Sequence, residues 1–379
     1  MEPPWEYLLL GPAHPFRGGI ANTQHQLANA LIAQQKSVQL LTFTQLYPHF
    51  LFPGKSQWSS ESAPKNLDIV RLLHTYNPLT WKKAIAYINQ KKPKKVIFRY
   101  YTPFLAPLYR FIAQGLHPDI KKIALVDNWI PHERKPWDSL LNRYFGKQMD
   151  GFTTLSPYVA AQIEAAGYKN KVWAGFHPIA EGLPVPISKA AAREILGWKH
   201  EPPTVLFFGL IRPYKGLDLL IRAFAEAPLK NSPIQLRIVG ECYENPKKYT
   251  DLVDALELNN KIHFHFTYAE KEAIRDYFCA SDVVAQTYRT ATQSGVTPLA
   301  YHFERPLLVS DTPGLRDPIL QDQSGIVVEN TPQQIAQKLQ TLLATETVSL
   351  YKENISRAKS NYHWKDFVQQ WEAALESQF

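Results

Sequence analysis

The chain has 379 residues, 45% hydrophobic and 20% charged, a globular composition that excludes a disordered protein. This length suits two α/β domains better than one core, and two cysteines are too few for a disulfide framework. No apolar stretch approaches the roughly 20 residues that span a bilayer, and the first residues lack the basic start of a signal peptide. We therefore expect a cytoplasmic protein that is either soluble or peripheral on the inner membrane face.

The positive charge is concentrated in the first half of the chain. Residues 1–180 carry 21 Lys and Arg against 10 Asp and Glu, whereas residues 181–379 carry 21 against 24. Residues 81–101 are the densest basic stretch, and there lysines are interleaved with aromatic residues. This pattern fits an anionic membrane surface, although a solvated helix face gives the same pattern. No nucleic-acid recognition motif accompanies the charge, and we expect no nucleic-acid partner.

Apolar strand-length runs alternate with amphipathic helix-length segments, which is the pattern of βα units on parallel sheets. In the first half, strands are predicted at 7–10, 38–43, 69–73, 96–99, 122–126 and 151–155, and helices at 19–34, 80–91, 103–114, 137–147 and 157–166. A weakly periodic stretch over about 178–203 separates the halves.

In the second half, a short helix at 189–196 comes first. Strands are predicted at 204–208, 234–239, 262–266, 283–285, 307–310 and 325–328, and helices at 217–225, 245–256, 270–280, 297–301, 315–320, 332–341 and within 353–379. The fold class is therefore α/β with two doubly wound parallel-sheet domains. Ligands in such folds bind beyond the carboxyl ends of the strands.

Three strand-to-helix loops carry residues suited to an anion. Gly18 and Gly19 end the first loop, where the following helix directs free N–H groups and a positive dipole end toward a ligand. After the strand that ends at Gly209, Arg212 and Lys215 precede a helix start, where cations are unfavourable unless an anion binds. The third loop predicts an anion nest of backbone amides at Gly295, Val296 and Thr297. Ordinary turns and connections are the alternative for each loop.

The three loops together resemble the retaining family 4 glycosyltransferases. The resemblance rests on the glycine pair, on GLIRPYKG at 209–216, and on TQSGVTPLA before PLLVSDTPG. It implies the GT-B fold, with a cleft between an acceptor-binding domain (1–180, joined by a C-terminal helix, 360–379) and a nucleotide-sugar-binding domain (181–359). It also implies that Arg212 and Lys215 bind the donor diphosphate opposite Gly18 and Gly19.

The chain departs from the family pattern at two places. The family's two glutamates across the third loop fall on Thr292 and Ala300, or on Ala291 and Leu299, depending on the reference residue. Thr292, Gln293 and Ser294 are then expected to offer neutral hydrogen bonds to the donor sugar. Family members often place His-Asp after the fifth strand. Here Asp127 stands at the histidine position, and His132 follows in the same loop.

The resemblance implies transfer of a sugar from a UDP- or GDP-linked donor to a hydroxyl of a glycan or lipid-linked glycan, with retention. The candidate catalytic residues are Asp127, His132, Arg212 and Lys215. The chain has no Asp-x-Asp motif, and we expect neither a metal nor a cofactor. The missing glutamates leave open a non-catalytic nucleotide-sugar-binding protein. An NAD-dependent dehydrogenase is disfavoured because GxGxxG is absent.

Overall fold

A computed structural model describes residues 5–47, 56–59, 62–199 and 202–379. The chain divides into two compact units. The first unit combines Met1–Pro178 with His363–Phe379, and the second unit is Ile179–Tyr362. Each unit is built around its own parallel sheet, with helices between most successive strands.

The first unit has a seven-stranded sheet in the order β3-β2-β1-β4-β5-β6-β7, with every described pair parallel. Its strands are β1 (Tyr7–Leu10), β2 (Val38–Gln45), β3 (Asp68–His74), β4 (Lys95–Tyr100), β5 (Lys121–Val126), β6 (Gly151–Thr154) and β7 (Val172–Ala174). Its first helices are α1 (Gly19–Ala33), α2 (Pro78–Lys91), α3 (Ala106–Gly115), α4 (Asp138–Gly146) and α5 (Pro157–Ile163). The strand order reverses between β1 and β4, which is where ligands bind in such sheets.

The sheet of the first unit is buried on both faces. Leu8 and Leu10 point into the core with α2, α3 and α4, and Tyr7 and Leu9 point into the core with α1. This alternation explains why β1 reads YLLL, because a parallel strand covered on both sides has no polar face.

The second unit has a six-stranded parallel sheet in the order β10-β9-β8-β11-β12-β13. Its strands are β8 (Thr204–Phe208), β9 (Gln235–Val239), β10 (Ile262–His265), β11 (Val283–Gln286), β12 (Leu307–Ser310) and β13 (Gly325–Val328). Its helices are α6 (Lys189–Ile195), α7 (Leu217–Ala223), α8 (Ala227–Lys230), α9 (Lys247–Ala255), α10 (Lys271–Ala280), α11 (Val296–His302), α12 (Pro313–Asp322), α13 (Pro332–Leu342) and α14 (Thr345–Ala358). The order reverses between β8 and β11.

The last helix, α15 (Trp364–Gln378), belongs to the first unit. Trp364, Phe367 and Trp371 are buried in the same core as α1. Tyr7 Oη also donates to Glu372 Oε1 at 2.7 Å, so this helix is fixed by packing and by a polar contact.

The prediction of two doubly wound parallel-sheet domains is confirmed, and most elements begin and end within a few residues of their predicted bounds. The short β7 and α8 were not predicted, because three- and four-residue elements carry almost no periodicity. The helix predicted at 157–166 ends at Ile163 and continues as a π turn, where Gly167 has a positive φ of 104°.

Candidate functional site

The strand order of the second sheet reverses between β8 and β11, and the loop that follows β8 lies at this point. Gly209 ends the strand with φ 98°, a left-handed conformation that side chains disfavour. A methyl group at Gly209 would lie 3.1 Å from Lys215 Nζ and 3.6 Å from Val296 Cγ2. The strand end, the cationic loop and the start of α11 therefore meet at one point. The structure brings together Gly209, Lys215 and Val296, three of the residues predicted to bind the donor.

Lys215 is buried at the end of a one-turn 3-10 helix, Pro213–Lys215, and is only 8% exposed. Its Nζ lies 5.1 Å from the ring centre of Tyr288, whose own side chain is buried. Burial lowers the pKa of Lys215; the nearby Tyr214 raises it, and the charge of Arg212 lowers it further. The ammonium group is thus held in a place that is unfavourable for a positive charge.

Arg212 stands at the entrance to the same turn and is half-buried. Its guanidinium carbon lies 5.0 Å from the ring centre of Tyr243, which follows β9. In the part of the chain that the structure describes, neither Arg212 nor Lys215 forms a side-chain hydrogen bond or an ion pair. Two neighbouring cations without a carboxylate partner are the arrangement expected of an anion site.

The turn that carries Arg212 and Lys215, here called the cationic turn, is held in place by residues that follow β11. Arg289 donates to the Pro213 carbonyl at 3.0 Å and pairs with Asp218 through both guanidinium Nη atoms at 2.8 and 2.6 Å. Thr287 Oγ1 donates to the Gly216 carbonyl at 3.0 Å. A methyl group on Gly216, which has φ 63°, would collide with the Thr287 carbonyl oxygen at 2.1 Å. These contacts fix the position of Lys215 before any ligand arrives.

The third loop leads into α11 through a turn centred on Ser294. The amides of Val296 and Thr297 donate to the Ser294 hydroxyl and carbonyl at 3.2 and 3.3 Å. An anion at the predicted nest would therefore compete with Ser294 for two of the three amides. Gly295 is exposed at the N-cap, Gln293 is half-buried, and the backbone of Thr292 packs under Gly314.

The position at which the family pattern places a glutamate in α11 is occupied here by an apolar residue that packs in the core. Ala300 is fully buried in the core formed by α10, α11 and β12, and Leu299 packs against the same core. Thr297 instead points to the strand ends, where its hydroxyl accepts from Gln286 Nε2 at 3.0 Å. Gln286 is buried, and its Oε1 has no partner among the described atoms.

In the first unit, the start of α1 is open. Gly18 is the N-cap with φ 109°, no side chain caps the helix, and its first turn has no acidic residue. Apart from the adjacent residues and the backbone of α1, no described atom of this unit lies within 4 Å of a methyl group placed on Gly18 or Gly19. The first amides of this 15-residue helix therefore have no side-chain cap, and anion binding by Gly18 and Gly19 stays a prediction.

Asp127 lies at the end of β5 and is tied to Arg99 on β4. Arg99 Nε and Nη2 donate to the two carboxylate oxygens at 2.5 and 2.6 Å, and both side chains are almost fully buried. Arg99 Nη2 also donates to Thr23 Oγ1 on α1 at 2.8 Å. This geometry favours a positioning role for Asp127, because both carboxylate oxygens accept hydrogen bonds from Arg99. Its predicted catalytic role stays a prediction, as does that of His132, which is half-buried in the loop after β5.

Several residues of these sites were missed at the sequence level. Arg99 sits in an apolar strand, VIFRY, and a charge in such a run signals a buried partner. His177 follows β7, its Nδ1 lies 3.1 Å from the Pro178 carbonyl, and burial lowers its pKa. Arg289, Tyr288 and Gln286 lie within ten residues of Gly295, but their contacts depend on how the loops fold over one another.

Two doubly wound parallel sheets, with a cationic loop at the reversal point of the second sheet, define the GT-B class of fold. Residues 188–361, most of the second unit, match the family described as Glycosyl transferases group 1. This match bears out the resemblance to family 4 glycosyltransferases for that part of the chain.

Curated relatives match parts of the chain of similar or shorter length. The D-inositol 3-phosphate glycosyltransferase of Kineococcus radiotolerans is 32% identical over 183 residues, 44% of this chain and 41% of that protein. The GDP-mannose:glycolipid 4-beta-D-mannosyltransferase of Xanthomonas campestris pv. campestris is 31% identical over 107 residues, 28% of this chain and 30% of that protein. The matched regions thus span well under half the length of these relatives.

Solved structures match nearly the whole chain. Sucrose-phosphate synthase from Thermosynechococcus elongatus has a TM-score of 0.79 at 18% identity, covering 98% of both chains. HepE from Anabaena, solved with UDP and glucose, has a TM-score of 0.74 at 14% identity, covering 98% of this chain and 100% of that one. These likenesses establish the fold. No helix in the described parts of the chain is long and apolar enough to cross a membrane.

Proposed function

We propose that this protein is a metal-independent, retaining glycosyltransferase that uses a nucleoside-diphosphate sugar, UDP- or GDP-linked, and glycosylates a hydroxyl of a glycan or lipid-linked glycan. The observation that carries this proposal is the pair of cations in the second unit. Lys215 is buried beside Arg212 with no carboxylate partner among the described residues, on a turn fixed by Arg289 and Thr287. A diphosphate supplies the missing negative charge.

The donor is bound by its phosphates and by its sugar. Lys215 and Arg212 contact the diphosphate, and Gly209 lets the backbone approach it closely. The amides at Gly18 and Gly19, which donate to no acceptor among the described residues, offer a further anion site on the first unit. Thr292, Gln293 and Ser294, together with Gly295, Val296 and Thr297, offer neutral polar groups to the sugar hydroxyls. The relatives named above support a sugar nucleotide, because one uses GDP-mannose.

The chemistry breaks the bond between the sugar C1 and the diphosphate oxygen and forms a bond between C1 and the acceptor oxygen. Negative charge develops on the leaving diphosphate, and fixed cations in a dry site stabilise that charge. The acceptor proton passes to the departing phosphate oxygen, with Asp127 or His132 orienting the acceptor hydroxyl. Metal independence is supported by the absence of an Asp-x-Asp sequence.

The acceptor is assigned to the first unit. Residues 1–180 carry 21 Lys and Arg against 10 Asp and Glu, so this unit attracts anionic partners. The named relatives act on an inositol phosphate and on a glycolipid, and both acceptors carry hydroxyl groups. We assign the acceptor to a glycan or lipid-linked glycan presented at an anionic membrane surface on the cytoplasmic side.

Purified protein tests the proposal with a panel of UDP- and GDP-sugars in the presence of a chelator. A correct donor in large excess over its dissociation constant is expected to stabilise the protein by about 2–4 kcal/mol and to be consumed when the acceptor is added. The coupling constant of the product's anomeric proton reports retention. Stabilisation without transfer or hydrolysis supports the alternative, a non-catalytic nucleotide-sugar-binding protein. If no sugar nucleotide or nucleoside diphosphate stabilises the protein, the proposal is wrong.

A further inference from the structure

Helix α4 of the first unit presents an apolar row to solvent. Trp137, at its N-cap, is 55% exposed, Leu140 is 69% exposed and Tyr144 is 45% exposed. Positions i, i+3 and i+7 lie on one face of a helix, so these side chains form a single ridge. The opposite face is buried, where Phe145 stacks on Tyr100 with ring centres 4.2 Å apart. The side chains of the ridge therefore take no part in the packing that holds α4 against the core.

Positive side chains surround this ridge. Arg134, Lys135, Arg143 and Lys147 are all exposed, and Lys135 Nζ lies 5.7 Å from the Trp137 ring centre. Two acidic residues share the region: Glu133 is exposed, and Asp138 accepts the Lys135 amide hydrogen at 2.7 Å. Four cations against two carboxylates leave the surface positive.

The surface continues onto the neighbouring helix. The Arg110 guanidinium of α3 lies 3.9 Å from the Tyr144 ring centre, and its Nη1 donates to the Tyr144 carbonyl at 2.8 Å. Phe111, one residue further along α3, is also exposed and contacts Trp81 of α2 with ring centres 5.5 Å apart. Aromatic rings and cations thus alternate across three adjacent helices.

We propose that the ridge of Trp137, Leu140 and Tyr144, with its flanking cations, binds an anionic lipid bilayer. Trp and Tyr favour the headgroup level of a membrane, and Leu enters the acyl boundary. The cations pair with anionic headgroups, which a purely apolar protein interface would not require. The ridge itself lies outside the basic stretch at 81–101, although the surface around it reaches Trp81; further along that stretch Lys94 pairs with Glu6 and Lys95 lies over the Tyr7 ring. The binding deepens the membrane part of the proposed function and does not require sugar transfer.

Vesicle co-sedimentation of the full chain tests this proposal. The vesicles contain phosphatidylcholine, with or without phosphatidylglycerol. The wild type is expected to sediment with the anionic vesicles, more weakly as salt rises. The double variant Leu140→Ser/Tyr144→Ser is expected to lower the partition coefficient about tenfold, because the lost apolar contacts contributed to insertion. Arg143→Glu/Lys147→Glu is expected to abolish the preference for phosphatidylglycerol.

A matched control is Leu320→Ser/Leu350→Ser, which removes two exposed leucines from helices of the second unit. This variant is expected to bind vesicles like the wild type, and all variants are expected to keep the wild-type thermal midpoint. Undiminished binding by the Leu140→Ser/Tyr144→Ser variant overturns the proposal, as does equal binding to neutral and anionic vesicles. A lipid-independent dimer that this double variant disrupts also overturns it, because a second copy then covers the ridge.

Discussion

The two sheets of this protein place a basic side chain near the same topological position, yet they treat its charge in opposite ways. In the first unit, Arg99 on β4 is buried against Asp127, and both carboxylate oxygens accept its hydrogen bonds. In the second unit, Lys215 is buried beside another cation, with no carboxylate partner in the described chain. A neutralised pair stabilises the fold, whereas an unopposed cation is kept for a ligand.

The surroundings of the two residues agree with this distinction. Arg99 sits on a strand, and its side chain also donates to Thr23, so three elements of the first unit meet at its guanidinium. Lys215 sits on a turn that Arg289 and Thr287 hold from outside, through the backbone of the turn. Its ammonium group can therefore exchange partners without disturbing the loop. Mutations should separate a loss of stability in the first unit from a loss of binding in the second.

The largest effect is expected from breaking the pair in the first unit. Asp127→Ala leaves the Arg99 guanidinium buried without its carboxylate, and this should lower the stability of the first unit by about 3–5 kcal/mol. Native-state hydrogen exchange of the β1 and β4 amides measures that loss for this unit alone.

The control replaces both partners, with Arg99→Met and Asp127→Leu combined. The double variant should recover most of the lost stability, because no buried charge remains. If Asp127→Ala proves as stable as the wild type, the Arg99–Asp127 pair does not hold the first unit together, and the contrast between the two units fails.

The second effect concerns binding. Lys215→Ala should weaken nucleoside-diphosphate binding or turnover about a hundredfold, the range seen when one charge-stabilising donor is removed. The ligand-free protein should keep its thermal midpoint or gain slightly, because burial disfavours this charge. Isothermal titration with UDP and GDP measures the affinity, and a thermal scan of the ligand-free protein measures the midpoint of unfolding.

Lys247→Ala is the matched control, since Lys247 is exposed at the start of α9. This variant should keep the wild-type affinity for nucleoside diphosphates and the wild-type thermal midpoint. A Lys215→Ala protein that binds nucleoside diphosphates like the wild type would show that the unopposed charge serves some other purpose.

Much of this contrast was accessible from the sequence. The alternation of apolar runs fixes two parallel sheets, and the spacing of Arg212, Lys215 and Gly216 marks the cationic turn. These features are local, so periodicity and turn chemistry reveal them. The open start of α1 was equally visible, because two adjacent glycines precede an uncapped helix.

The pairing of Arg99 with Asp127 could not be read in the same way. The two residues are 28 positions apart, and only the register of β4 against β5 brings them together. The same holds for Arg289 and the Pro213 carbonyl, which are 76 positions apart. Asp127 was predicted from a motif position, and its buried partner changes the role that its geometry favours.

A smaller effect is expected from His25, which supports the loop before α1. Its Nε2 accepts the His14 amide hydrogen at 2.9 Å, so this nitrogen is unprotonated in the folded state. Burial, with a smaller contribution from the nearby His14, lowers the pKa of His25 from 6.5 to about 4. The unfolded chain therefore binds a proton that the folded chain does not bind between these two pH values.

The free energy of unfolding of the first unit should accordingly fall by about 2–3 kcal/mol as the pH is lowered from about 6.5 to about 4. Well outside that range, the contribution of His25 should no longer change with pH. His25→Gln removes the titration and keeps an acceptor for the His14 amide. Hydrogen exchange at several pH values compares the two proteins. A wild type and a His25→Gln variant with parallel pH profiles would contradict the assignment.

The smallest effect tests whether the first unit shares in anion binding. Gly19 has no positive φ and begins α1, so Gly19→Ala should stabilise the first unit by about 0.5–1 kcal/mol, because alanine favours a helix more than glycine does. The added methyl group stands where a phosphate would approach the amides, and nucleoside-diphosphate affinity should fall about tenfold. Gly18→Ala, at φ 109°, should instead destabilise the unit by about 1–2 kcal/mol. Titration measures the nucleoside-diphosphate affinity of both variants, and hydrogen exchange measures the stability of the first unit. If the Gly19→Ala protein is more stable and binds nucleoside diphosphates like the wild type, the first unit does not take part in phosphate binding.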